Sequence, residues 1–228
     1  MEKEFELTAT DMIAIRDGAN GYLTSKGATL YKEGTFLESV EYYRLAAAMG
    51  ETHSISNLGY CYLYGRSIEP NTSLAIAYFT IAANQQDIDA AYKLGDIYGS
   101  DKWGVKDKEL SLYYYSLAAE FIIGDGWLRG QNIIHQKQLQ DFPSLAYAIA
   151  RETFPGGSMI TNLKTSYQFL KHAEKGYEMA LADGDVFYKD VYEGVKKLLK
   201  NEEYDIVREE IDKVFDYFSD NDNDEEDD

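Results

Sequence analysis

Few residues in this chain belong to the types that carry metal or nucleophilic chemistry. There are three histidines, His53, His135 and His172, and one cysteine, Cys61. Two histidines that hold a metal from one helix stand a turn apart, at i and i+4. None of the three has such a neighbour, so they read as scattered surface residues. A lone cysteine excludes an intramolecular disulfide framework and a cysteine-based structural zinc site. A nucleophilic thiol needs a histidine and an electropositive setting. Cys61 stands between Tyr60 and Tyr62 and is expected to be a small buried hydrophobe. Asp220-x-Asp222-x-Asp224 matches the opening of an EF-hand loop, but Glu225 takes the sixth place and the chain ends before the twelfth. Such a loop cannot close around calcium. Gly124-Asp125-Gly126 and Gly156-Gly157 read as turns, and no GxxxxGK[ST] or GxGxxG phosphate cradle occurs. No metal and no cofactor is expected.

The residue type that stands out is tyrosine, with 20 copies. Tyrosine offers a large, stiff contact area and a hydroxyl, which suits recognition as well as packing. Which role each one takes depends on the elements that hold it.

Those elements repeat. Ser39-Val-Glu-Tyr-Tyr43-Arg-Leu-Ala46-Ala47, Ala75-Ile-Ala-Tyr-Phe79-Thr-Ile-Ala82-Ala83 and Ser111-Leu-Tyr-Tyr-Tyr115-Ser-Leu-Ala118-Ala119 share one pattern, and the step is 36 residues each time. Upstream lie Gly27-Ala-Thr-Leu30-Tyr31, Leu58-Gly59-Tyr-Cys-Tyr62 and Leu94-Gly95-Asp-Ile-Tyr98. Spacings of three and four place Ser39, Tyr43 and Ala46 on one helical face. Small residues such as Gly59 and Ala75 opposite large ones such as Tyr62 and Phe79 give interdigitated helix packing. Tyr43, Tyr62, Tyr98, Tyr115 and Tyr177 fall on packing positions and are expected in the core. Gly34, Gly50 and Gly65 mark helix ends. Each segment is therefore a helical hairpin that must stack on the next to bury its apolar face. A weaker fourth pattern is Ala173-Glu-Lys-Gly-Tyr177-Glu-Met-Ala180, 62 residues after the third.

The LGxxY segment, the Gly104-Val105-Lys106-Asp107 loop and the small-x-x-x-aromatic-x-x-Ala-Ala segment together resemble the Sel1-like repeat, a relative of the tetratricopeptide repeat. The resemblance covers about residues 20–120 well and 143–185 loosely. It implies an all-α, right-handed helix-hairpin solenoid with terminal capping helices, as a single domain over 1–218. The hairpins fall near 20–50, 51–87, 88–123 and 143–185, with an extra helix near 127–140 and capping helices near 186–218. In such solenoids the first helix of each hairpin faces a concave groove. By resemblance, Lys32, Ser56, Tyr60, Tyr64, Tyr92, Lys93 and Asp96 line it.

The ends fit this plan. Thr8-Ala-Thr-Asp11 has the form of a capping box before Met12 and Ile15. Val191, Val195, Leu198 and Leu199 form one apolar stripe, and Val207, Ile211, Val214, Phe215 and Phe218 another. Residues 219–228 contain seven carboxylates, no cation and no apolar side chain, and predict a disordered acidic tail.

Charge narrows the partners. The formal net charge is -18, with 40 acidic and 22 basic residues. Residues 201–228 hold 14 acids and 2 bases. An acidic chain repels phosphate backbones, so nucleic acid is not an expected partner. No run approaches the roughly 20 apolar residues that span a bilayer, and the N-terminus lacks the basic and apolar regions of a secretory signal. A cytoplasmic location and no membrane partner are expected. The leading function is a non-enzymatic scaffold that binds a protein or peptide in its groove, a basic one fitting the charge. The alternative is an inhibitor or immunity-type protein that masks a basic partner with its acidic surface. The resemblance also extends to secreted relatives linked to β-lactam binding, but those carry a disulfide per repeat, which Cys61 alone cannot supply.

Overall fold

A computed structural model describes residues 5–124, 127 and 133–220. Among these residues the secondary structure is entirely helical. The chain divides into two compact units, Met1–Ser111 and Leu112–Asp228.

The first unit contains α1 (Ala9–Arg16), α2 (Asn20–Lys32), α3 (Phe36–Ala48), α4 (Thr52–Tyr64), α5 (Thr72–Ala83) and α6 (Ile88–Gly99). Helix α7 (Lys108–Ile123) begins at its end. Consecutive helices pack on one another from α1 through α6. The helix starts are set by polar caps: the side chains of Glu51, Asn71 and Asp87 accept the N–H of Ser54, Leu74 and Ala90, which satisfies donors that the helix itself leaves unpaired. Helix α4 ends at Gly65, whose φ of +67° is the left-handed conformation that glycine enters without strain. Small faces large where the sequence places them. A Cβ at Gly59 would lie 2.8 Å from the Phe79 ring, and one at Gly27 would lie 2.8 Å from the Tyr43 ring. Cys61 is fully buried beside Val40, Tyr43 and Leu58, and burial pushes its thiol up to about 11. It is the small buried hydrophobe the sequence indicates. Tyr43, Tyr115 and Tyr177 are buried, whereas Tyr62 and Tyr98 are half-buried.

The Thr8 capping box forms, with both hydrogen bonds present. Its Asp11 does more than cap. The carboxylate is fully buried and accepts from Lys26 Nζ at 2.7 Å and from the Tyr42 hydroxyl at 2.8 Å. Burial alone would raise its pKa, but the Lys26 ammonium, Thr8 and Tyr42 outweigh it and hold the carboxyl well below its ordinary value. This pins α1 to α2 and α3.

The second unit holds the rest of α7, then 3-10 turns at Ile133–His135 and Lys137–Asp141 and helices α8 (Pro143–Thr153), α9 (Leu163–Ala182), α10 (Lys189–Leu199) and α11 (Asp205–Asp220). Of the additional helix expected near 127–140, residues 128–132 lie outside the described residues, and 133–135 and 137–141 form the two 3-10 turns. The expected capping helices are α10 and α11, and both pack on α9. Helix α11 runs through Asp220, so the first two residues of the expected tail are helical. Residues 221–228 lie outside the described residues.

Helices α8 and α9 form the fourth hairpin, in a different register from the one the sequence pattern suggests. The Ser111 hydroxyl donates to the Gly95 carbonyl at 2.8 Å. The Ser166 hydroxyl donates to the Ala150 carbonyl at 2.6 Å. The loop of the third repeat is closed by Asp107 N–H to Tyr98 O, and that of the fourth by Asn162 N–H to Thr153 O. From 98 to 153, and from 107 to 162, the offset is 55 residues, not 62. The fourth repeat therefore reads Ser166, Leu170, Ala173. Tyr177 is nonetheless buried, because its hydroxyl meets Ser144 at 3.0 Å on the first turn of α8.

His172 also departs from expectation. It is fully buried, since α9 is covered by the Ile133 turn and by α11. Its Nε2–H donates to the Ile133 carbonyl at 2.9 Å, and the ring meets Phe215 edge-on. Burial pushes its pKa down to about 4, so the imidazole is neutral. His53 and His135 are exposed, as expected.

A candidate partner-binding surface

Tyr60 follows Gly59 on α4, and Asp96 follows Gly95 on α6. They are the same position of the repeat, 36 residues apart. Because the glycines face the second helices, the next residue turns toward the neighbouring first helix. Side chains of α4 and α6 meet there. Lys93 Nζ lies 5.6 Å from the Tyr60 ring centre and 5.3 Å from that of Tyr92. It is fixed by Asp96, at 2.8 Å. Cation–π contacts of this kind contribute about 0.5–1 kcal/mol each at exposed sites.

The aromatic surface continues along α4. Tyr64, 41% exposed, stacks parallel to Tyr60 with ring centres 6.3 Å apart. Its other side meets Trp103 edge-on at 5.8 Å. Lys102 Nζ sits 4.3 Å from the Trp103 ring centre and 5.7 Å from that of Tyr64. Five of the seven groove candidates, Tyr60, Tyr64, Tyr92, Lys93 and Asp96, are thus brought into one cluster. Lys102 and Trp103 extend it. They sit in the α6–α7 loop, in the 3-10 turn Asp101–Trp103, where helical spacing gives no signal. A tryptophan in an otherwise polar loop is the mark that could have found them.

The other two candidates are not part of the cluster. Ser56 is 4% exposed and its hydroxyl is turned toward Asp87, so it is not available to line a groove. Lys32 is exposed at the last position of α2, one repeat away.

Negative charge flanks the rings. Among the described residues Asp89 makes no ion pair, and its carboxyl is raised above the ordinary range by desolvation and by Asp87 beside it. Asp87 is raised as well, by burial. Tyr60 is pushed up by burial first and then by the Asp89 carboxylate, so its phenol stays protonated and can donate. Among the described residues there is no group of three or more metal-ligating side chains, and no helix is long and apolar enough to cross a membrane. The cluster offers aromatic faces, hydroxyl donors and one unpaired carboxylate, which is equipment for recognition.

Comparison with known proteins agrees with the repeat reading. Residues 36–51, 52–87 and 88–120 match the Sel1 repeat. A Sel1 repeat protein from Oxalobacter formigenes superposes with a TM-score of 0.54 at 22% identity. The match covers 73% of this chain and 61% of that one, so this chain spans about three fifths of its length. A protective antigen present in uropathogenic Escherichia coli strains, displaying an SLR fold, gives a TM-score of 0.43 at 18% identity over 76% of this chain and 44% of its own. No curated protein matches the sequence. Residues 36–120 are thus similar to three successive Sel1 repeats, and proteins built from such repeats generally mediate protein–protein interaction.

Proposed function

We propose that the chain is a non-enzymatic binding scaffold whose contact surface is the cluster on α4, α6 and the α6–α7 loop, and that it engages an extended segment of a protein partner. The observation that carries this reading is the run Tyr92, Lys93, Tyr60, Tyr64, Trp103. It is aromatic, ordered by ring–ring and cation–π contacts, and open on one side at Tyr64. Rings already held in place lose little freedom on binding, which is why tyrosine and tryptophan dominate the energetics of interfaces. The unpaired Asp89 carboxylate favours a cationic residue in the bound segment. The proposal treats 1–218 as one binding domain, located in the cytoplasm.

The inhibitor reading draws on the same carboxyls, Asp87 and Asp89, which are raised first by burial and then by neighbouring negative charge. The two readings separate by substitution. In the scaffold reading, Tyr64→Ala weakens capture of the partner more than Asp89→Asn does. In the inhibitor reading the order reverses, and the association rate falls steeply with salt. The experiment is affinity capture from the native cell, followed by titration of the captured protein against both variants.

A further inference from the structure

The loop that joins α8 to α9 borders a cavity of about 590 Å³ within the second unit. That lies inside the range of about 300–1,000 Å³ usual for small-molecule sites. Tyr147 and Arg151 of α8 form one wall, and Gly194, Lys197 and Leu198 of α10 another. Phe154 stands on the loop and Asn201 closes the far end.

Its charge runs against that of the chain. In the same unit Lys164, Lys171, Lys175, Lys196, Arg208 and Lys213 all pair with carboxylates. Arg151 and Lys197, like Lys189 and Lys200, make no ion pair among the described residues. Arg151 is held instead over the Tyr147 ring, at 5.7 Å. Lys197 is next in sequence to Lys196, which pairs with Glu193, yet it stands at the cavity without an ion pair. The one carboxylate in the lining, Glu152, accepts the Ser158 N–H at 3.0 Å through one of its oxygens and so fixes the loop. The Asn201 carbonyl oxygens each accept one hydrogen bond. Its side chain accepts from Glu203 N–H, and its backbone accepts from Arg208. Its side-chain amide donors stay free. The cavity thus presents a guanidinium, an ammonium and an amide against a single carboxylate, that of Glu152.

Glycine keeps it open. A Cβ at Gly157 would fall 2.3 Å from the Glu152 carbonyl, so the bend that draws the loop back on α8 requires glycine. Gly194 leaves space where α10 passes Tyr147, with the Tyr147 hydroxyl 3.3 Å from where a Cβ would be.

We propose that this cavity binds an organic carboxylate. The carboxylate is met by Arg151, Lys197 and the Asn201 amide, and the apolar body lies against Phe154 and Leu198. Arginine suits this role because its planar fork matches a carboxylate. A free small acid and the C-terminal carboxylate of a peptide share this chemistry.

The test uses the full chain and two probes, hydrocinnamate and N-acetyl-Gly-Phe with a free carboxylate, followed by amide chemical shifts and calorimetry. Saturable binding is expected, with shifts at Gly156, Gly157, Gly194 and Asn201. The neutral analogues, 3-phenylpropanol and N-acetyl-Gly-Phe amide, are expected to bind about tenfold more weakly or less, the factor that loss of a charge-assisted hydrogen bond brings. Arg151→Gln and Lys197→Gln should each weaken binding by a similar factor. Gly194→Leu, which fills the space and keeps both charges, should abolish it while the chain stays folded. Tighter binding of hydrocinnamate assigns a free acid, and tighter binding of the peptide assigns a chain terminus. No saturable response at millimolar concentration overturns the proposal. So does binding that the charge variants and Gly194→Leu leave intact while all three remain folded.

Discussion

The two units use the same hairpin to different ends. In the first, first-helix glycines are set against aromatic rings of the second helices, Gly27 on Tyr43 and Gly59 on Phe79. The contact is repeated, and each helix keeps one face for solvent or for a partner. In the second, a single helix of 20 residues, α9, is buried at six successive positions from 165 to 170. It is enclosed by α8, α10, α11 and the two 3-10 turns. Its closest approach is to backbone: a Cβ at Gly176 would lie 2.2 Å from the Gln140 carbonyl oxygen. A repeated contact leaves a regular surface free for recognition. A central helix commits its surface to the core and leaves function to the loops around it.

That contrast can be broken most sharply at the two glycines. A ring edge can swing aside, but a main-chain carbonyl cannot. Gly176→Ala is expected to cost about 3 kcal/mol or more, at the upper end for overpacking, and Gly59→Ala less. Even Gly59→Leu should stay within about 1–3 kcal/mol. Urea unfolding of the three variants checks the order. Equal and small losses at both glycines would remove the distinction between the units.

Acid should separate the units as well. The folded pKa of His172, about 4, lies below the ordinary 6.5, so the unfolded chain binds the extra proton between those values. The second unit should keep its full stability above about pH 6.5 and lose about 3 kcal/mol as the pH falls to about 4. Asp11 also has a depressed pKa, starting from 3.8. Its contribution to the first unit is present above that value and lost only as the pH falls below it. Each unit has one tryptophan, Trp103 in the first and Trp127 in the second. Fluorescence-detected melts of Trp103→Phe and Trp127→Phe from pH 7 to pH 4 should show only the second unit weakening. His172→Asn should flatten that slope. A slope seen equally by both tryptophans contradicts the assignment.

The smallest effects are expected at single hydroxyls. Ser39 donates to the Gly27 carbonyl at 2.8 Å, as Ser111 does to that of Gly95. Repeat two has Ala75 at that position and does without the bond. Ser39→Ala and Ser111→Ala should therefore each cost only about 1 kcal/mol. Losses several times larger would show that the bond, rather than the small-to-large fit, holds the repeats together.

The first three hairpins were legible because glycine, alanine and aromatic residues recur at fixed spacing. The fourth was misplaced because the same positions hold Ala150 in place of glycine and Leu170 in place of an aromatic. Its polar marks, Asn162 as the N-cap and Ser166 four residues later, do repeat Asp107 and Ser111. His172, beside Lys171 on a helix that reads as polar, gave no sign of burial, because only a fully enclosed helix buries such a residue. On the surface cluster, counting from Gly59 and Gly95 located the tyrosines, Lys93 and Asp96. It could not locate Trp103 or Lys102, whose positions depend on how a loop folds back. It also could not show that Ser56 lies in the core.

The central claim is that the regular unit carries the partner site on its aromatic surface. The most direct test is calorimetric titration of the captured partner with the native chain, Tyr64→Ala and Lys93→Gln, with a thermal melt of each. Tyr64 is exposed, so its truncation should cost about 0.5 kcal/mol of stability or less. As an interface aromatic, the same change should cost about 2 kcal/mol or more of binding, some thirtyfold in affinity. Affinity lost with the melting temperature kept is the predicted result. Unchanged affinity in both variants, with both folded, would contradict the account.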